Sequence, residues 1–144
     1  MSDLEAVLAV LNKHRVRYLL IGGLASILHG VPRTTTDIDI AVDPKPENLR
    51  RALRALRQAG LVADTEHVED ILAQGGVTAA NDFSVDLLTA LPASTFAQLW
   101  RRRVVVRYLR IRISAVSKRD QIRLLRAAGR RKDKEDADYL DSLR

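Results

Sequence analysis

The stretch RTTTDIDIAVD, residues 33–43, places two aspartates two positions apart inside an apolar run. Residues 37–42, DIDIAV, alternate as a strand does, and on a strand residues i and i+2 share a face. Asp37 and Asp39 therefore project together, while Ile38 and Ile40 point the other way, into a core. Neighbouring ionised carboxylates repel each other and are costly to bury without a counter-charge. A solvated strand face is one explanation. A divalent cation is the more economical one, because magnesium prefers oxygen ligands and takes one or two carboxylates together with substrate phosphates. A third acid, Asp86, lies in SVDLLTA, residues 84–90, where Val85 and Leu87 alternate against it as on a second strand. If the two strands are neighbours, the three acids converge. Three carboxylates can hold two metal ions ~3.5–4 Å apart, which activates an attacking oxygen and stabilises a leaving phosphate.

Upstream, RYLLI, residues 17–21, reads as a buried strand broken by Gly22-Gly23, and LASILH, residues 24–29, as a short helix closed by Gly30 and Pro32. Backbone N–H groups at such a strand-to-helix turn can cradle phosphate. Residues 3–14 have the spacing of an amphipathic helix, with Ser2 as N-cap and Glu5 completing a capping box. Residues 47–59 form another helix, with Leu49, Leu53 and Leu56 facing the core and Gly60 ending it. Leu61 opens a short strand, residues 66–73 a short helix, and Gly75 a turn and edge strand. A helix capped by Ser94 follows, then RVVVRYLRIRI, residues 103–113, as a strand pair or one long strand. Ser117 with Asp120 opens a helix to about Ala128, Gly129 breaks it, and KDKEDADYLDSL forms the last helix. The fold class is α/β (α+β): a mixed sheet flanked by helices, with a helical C-terminal segment. The 144 residues suit one domain, with a core over residues 1–92 and an extension over residues 93–144.

Charge is unevenly placed. The net charge is +6, yet residues 101–144 hold 15 Lys and Arg against 6 acids, a net of +9. That suits a polyanionic partner such as nucleic acid or a nucleotide; the plain alternative is a set of solvated helix faces. Cysteine is absent, which rules out a disulfide framework and fits a reducing cytoplasm. The acidic start, MSDLEAVLAVLNKH, is not a signal peptide, and no apolar run reaches the ~20 residues of a membrane span, so a cytoplasmic chain without a membrane partner is expected.

Taken together, YLLIGGLASILHG, PRTTTDIDIAVD and SVDLL resemble the nucleotidyltransferase fold of the DNA polymerase β superfamily. The pattern is most similar to small bacterial abortive-infection (AbiEii-type) nucleotidyltransferase toxins, and VSKRDQIRLLRAAGRRKDKEDADYL is similar to their closing helices. The resemblance implies magnesium- or manganese-dependent transfer of a nucleoside monophosphate from an NTP such as ATP, releasing pyrophosphate. It implies that Asp37, Asp39 and Asp86 ligate metal, with Asp86 also helping to deprotonate the acceptor hydroxyl. Gly22 and Gly23 would contact the triphosphate, and Lys132 and Arg130 would neutralise phosphate. Relatives often carry Gly-Ser at the turn and a lysine at the position aligned with Leu125. Here a phosphate contact at Gly22-Gly23 must be mostly backbone, and Arg123 or Arg126 would have to stand in for the lysine.

Arg33 with Thr34, Thr35 and Thr36, just before the acids, could bind substrate phosphate or ribose, with Arg33 and Thr36 the leading candidates; a simple crossing loop is the alternative. His14, His29 and His67 lack metal-ligand spacing and read as structural, and Asp133, Asp136 and Asp138 read as a solvated helix face, with Asp133 free to pair with a basic neighbour. Aromatic residues make up 4% of the chain, which argues against a single-strand binder built on base stacking. The leading expectation is a nucleotidyltransferase acting on an acceptor hydroxyl, with RNA or tRNA favoured by the basic end, in a toxin–antitoxin or phage-defence setting. The alternatives are a degenerate fold that binds nucleotide or a cognate toxin or antitoxin, and an enzyme that nucleotidylates a partner protein.

Overall fold

The two predicted aspartate-bearing strands lie side by side near the middle of a seven-stranded mixed sheet. The computed structural model describes residues 2–143; Met1 and Arg144, at the limits of the expected domain, lie outside them. In chain order the elements are α1 (Asp3–Lys13), β1 (Tyr18–Ile21), α2 (Gly22–Leu28), β2 (Ile38–Val42), α3 (Pro46–Gln58), β3 (Val62–Ala63) and α4 (Val68–Gln74). Then come β4 (Gly76–Ala80), β5 (Ser84–Leu88), α5 (Phe96–Arg101), β6 (Val104–Tyr108), β7 (Ile111–Ala115), α6 (Lys118–Ala128) and α7 (Arg131–Ser142). The strand order is β3-β4-β5-β2-β1-β7-β6, with β2–β5 and β1–β7 parallel and the remaining pairs antiparallel.

Alternation along the strands divides the core. Ile38, Ile40, Val85 and Leu87 face the larger apolar layer, where Leu8 and Leu11 of α1 and Leu49 and Leu56 of α3 pack. Leu19, Ile21 and Ala41 face the opposite side, under Phe96 and Leu99 of α5 and Leu124 of α6. A third cluster joins Ile122 and Leu125 of α6 to Ala137 and Leu140 of α7. Asp39 shares its strand face with Ala41. This second layer covers Ala41 fully and leaves Asp39 only half-buried, so the sheet opens into a cavity at that end.

Several local expectations change. The N-cap of α5 is Thr95, not Ser94: its hydroxyl accepts from Gln98 N and Gln98 reaches back to Thr95 N, a complete capping box. The 103–113 segment is a hairpin, because Leu109 and Arg110 both take positive φ and reverse the chain. The strand after Gly75 is not the sheet edge, since β3 pairs outside it. Of the three α7 acids expected on a solvated face, two are not on one. Asp133 and Asp136 are buried and ion-paired, to Arg130 and Arg33, and Asp138 alone of the three is exposed. Among the described residues no helix is long and apolar enough to cross a membrane.

Candidate active site

Asp39 and Asp86 are direct partners across the parallel β2–β5 pair, so their carboxylates stand side by side on one face. Asp37 lies one residue before β2, exposed, its N–H donating to Thr35 Oγ1 at 3.2 Å. Asp86 is oriented from the other flank: Thr78, its register partner on β4, donates its hydroxyl to Asp86 Oδ1 at 2.6 Å. Burial, followed by the charges of Asp86 and Asp37, pushes the Asp39 carboxyl up from near 3.8 to about 6. The charge of Arg130 opposes this only in part.

Gly22 has φ +68 and sits against Asp39 so closely that a Cβ would overlap Asp39 Oδ2. Only glycine suits both the left-handed backbone and this approach. Gly23 has more room: a Cβ there would meet Thr35 Cγ2 at 3.3 Å. Gln121, buried on α6, fixes the turn by donating its amide to Gly22 O at 2.9 Å and to Ser26 Oγ at 3.0 Å. Its Oε1 is buried without a partner, and the residue lines the same cavity.

The cavity has a volume of about 440 Å³. Gly22, Gly23, Asp37, Asp39 and Asp86 form its acidic and turn side. Arg33, Arg130 and Lys132 supply its basic side. Leu88, Leu91, Leu124 and Leu125 give an apolar wall. Arg130 donates Nε and Nη2 to Asp133 at 2.7 and 3.2 Å, and its pKa is raised by Asp133 first and by Asp39 and Asp37 as well. Arg33 donates to Asp136 at 2.5 Å, tying the loop before β2 to α7, while its Nε is buried without a partner.

Eight of the nine expected site residues therefore line one cavity. Thr36 does not: the extended chain alternates, turning Thr35 inward and Thr36 to solvent. Neither Arg123 nor Arg126 replaces the lysine expected at Leu125. Arg123 is held by Asp120 and Arg126 by Asp138 and Asp141, away from the cavity, and Leu125 itself is buried in the apolar wall. Thr78 and Gln121 were not foreseen. Their roles depend on strand register and on a helix returning from the far end of the chain, and neither leaves a local motif.

Among the described residues, no three His, Cys, Asp or Glu side chains are drawn together as a metal-ligand cluster. The donor set nevertheless fits a hard divalent cation. Two adjacent carboxylates and an exposed third are all-oxygen ligands, and a cation there would relieve the repulsion that raises Asp39. An open set of this kind suits a divalent ion that keeps water and phosphate oxygens among its ligands.

A mixed sheet with paired acids on neighbouring parallel strands, a Gly-Gly turn against them and basic helical residues opposite defines a nucleotidyltransferase fold. The family described as Aminoglycoside-2''-adenylyltransferase matches residues 3–90, and the chain belongs to it: it is a nucleotidyltransferase, of the class that transfers a nucleoside monophosphate to a hydroxyl. Solved structures share the fold, among them the following three. The Thermotoga maritima protein TM1012 is 16% identical, with a TM-score of 0.66, covering 97% of this chain and 91% of its own. The lincosamide antibiotic adenylyltransferase LnuA, solved with lincomycin bound, is 18% identical, with a TM-score of 0.66, covering 100% of this chain and 99% of its own. ANT(2'')-Ia, in complex with adenylyl-2''-tobramycin, is 16% identical, with a TM-score of 0.64, covering 95% of this chain and 84% of its own. No curated protein sequence matches the chain. The likeness to an AbiEii-type toxin is narrower than these findings, which support the fold and the adenylyltransferase family.

Proposed function

We propose that the chain moves a nucleoside monophosphate from an NTP, with ATP as the first candidate, to a hydroxyl of a small-molecule acceptor. The observation that carries this is the Asp39–Asp86 register pair, with the Asp39 carboxyl raised in pKa, facing a cavity whose opposite side is Arg130 and Lys132. Asp37, Asp39 and Asp86 would hold Mg²⁺ or Mn²⁺. When bound, that ion supplies neutralisation of triphosphate charge and Lewis acidity at the α-phosphoryl group. Arg130 and Lys132 neutralise the outer phosphates, and the Gly22-Gly23 backbone offers N–H groups to the triphosphate. The acceptor oxygen attacks the α-phosphorus, the bond to the β-phosphate oxygen breaks, and pyrophosphate leaves. Asp86, its Oδ1 held by Thr78, would receive the hydroxyl proton on its other oxygen. Most of the rate enhancement comes from holding these groups in line.

A small acceptor fits the cavity volume of about 440 Å³ and the apolar wall of Leu88, Leu91, Leu124 and Leu125. The antibiotic-modifying names of the family and of two structural neighbours point the same way. RNA is the second reading for the acceptor, favoured by the net charge of +9 over residues 101–144.

The test is transfer from labelled ATP, CTP, GTP and UTP, with Mg²⁺ or Mn²⁺, to aminoglycosides, lincosamides, total RNA and cell protein, with Asp39→Asn as control. Label on a small molecule, absent with the control, supports the proposal. Label on RNA moves the acceptor to the second reading. Label on protein would identify a protein acceptor such as the cognate half of a toxin–antitoxin pair. No transfer with any nucleotide overturns the proposal.

A further inference from the structure

At the end of β1 opposite the active site lies a second cleft, of about 590 Å³, between α1, the start of β1 and the β6–β7 hairpin. It opens there because β1 and β7 pair at one position, Leu20↔Ala115. Closer to the cleft the Tyr18 hydroxyl fills the gap, donating to Asn12 Oδ1 at 3.0 Å or Arg112 O at 3.2 Å. Six arginines line the cleft: Arg15, Arg17, Arg103, Arg107, Arg110 and Arg112. No carboxylate lines it, and none of the six is ion-paired among the described residues.

The arrangement works against the free protein. Arg107 and Arg112 are direct cross-strand partners in the hairpin, where like charges destabilise the pair. Arg110 adds a third guanidinium at the turn, on a left-handed residue with φ 74. An anion is the missing counterpart, and guanidinium groups match phosphate oxygens in paired, planar geometry. One phosphate would engage two of these side chains; six spread over both walls call for a chain of phosphates. The cleft is concave, whereas a lipid surface is flat. Trp100 is not a free stacking platform: it stacks on Phe96 with centroids 5.6 Å apart, and Arg103 lies 3.9 Å from its ring centroid. Its ring instead holds Arg103 in place.

We propose that this cleft binds the phosphodiester backbone of nucleic acid, independently of base sequence. The proposal goes beyond the transfer reaction. Five residues of extended chain, roughly 16 Å, separate Arg17 from Gly22, so the surface is distinct from the triphosphate site and does not depend on how the acceptor question resolves.

The experiment is fluorescence anisotropy with labelled single-stranded RNA, single-stranded DNA and duplexes of unrelated sequence, from 50 to 200 mM salt. Six phosphate contacts give a log–log salt slope of about −4 on single strands and about −5 on duplex. Arg107→Gln with Arg112→Gln should make the slope shallower by about two and weaken binding at least tenfold. Thermal unfolding of that double variant, in the absence of nucleic acid, should be unchanged or shifted upward, because a like-charge pair has been removed. Asp39→Asn should bind nucleic acid as the unaltered chain does. Arg126→Gln with Arg131→Gln makes the same change in net charge outside the cleft and should retain most of the affinity. Equal loss in that control, tighter binding to phosphatidylserine vesicles than to any nucleic acid, or no salt-sensitive binding would each overturn the proposal.

Discussion

Replacing Asp39 by asparagine should make the metal-free protein more stable while abolishing transfer. Asp39 is half-buried beside Asp86 and near Asp37, and its pKa stands at about 6 instead of 3.8. A shift of that size corresponds to about 3 kcal/mol between the two protonation states. Solvent reaches half of the side chain, so screening brings the expected gain from removing the charge to about 1–2 kcal/mol. In a chain of this length that is roughly 3–6 °C in Tm. The folded-state pKa is raised, so the folded protein binds the proton more tightly than the unfolded chain. The cost of ionised Asp39 is complete above about pH 6, shrinks as pH falls through 6, and is gone below the unfolded value near 4. Thermal unfolding by circular dichroism, with EDTA, at pH 7.5, 5.5 and 4 measures this. Asp39→Asn should melt higher at pH 7.5 and level with the unaltered protein at pH 4. Added Mg²⁺ should raise the Tm of the unaltered protein and leave that of Asp39→Asn in place. A lower Tm for Asp39→Asn at pH 7.5, or a difference that does not change with pH, would refute the electrostatic account of the site.

The remaining predictions concern the residues around Asp39. Gly22→Ala should cost about 1–2 kcal/mol from its left-handed backbone alone, and displacement of Asp39 should remove activity. Gly23→Ala should retain measurable transfer, and equal loss in both would contradict the close approach to Asp39 that sets Gly22 apart from Gly23. Arg33→Ala leaves Asp136 buried without its partner and should lower stability by about 3 kcal/mol in urea unfolding; a loss of nucleotide affinity at unchanged stability would instead make Arg33 a substrate ligand. Lys132→Ala, on an exposed stem, should raise KM for the nucleotide about tenfold with no change in Tm.

How much of this was legible beforehand follows from the range over which each feature is encoded. Alternation in DIDIAV and SVDLL placed three acids on strand faces, and the Gly-Gly break placed a turn before them, because strand period and glycine's conformational freedom are local properties. Register is not local. That Asp39 faces Asp86, and that Thr78 holds Asp86, depends on how β4, β5 and β2 are matched across gaps in the chain. The basic side of the cavity was foreseen at Arg130 and Lys132 by resemblance to known closing helices. The fates of Arg123, Arg126, Asp133 and Asp136 were decided when α7 folded back against α6 and the loop before β2, burying acids that composition would leave in water. The same holds for the arginine cleft. Sequence shows many arginines after residue 100, and only the divergence of β1 from β7 and the turn of the hairpin gather four of them with Arg15 and Arg17. By itself the sequence determined the elements, the three acids and the fold class; the tertiary structure decided which charges meet, because pairing across the sheet and packing between layers join residues far apart in the chain.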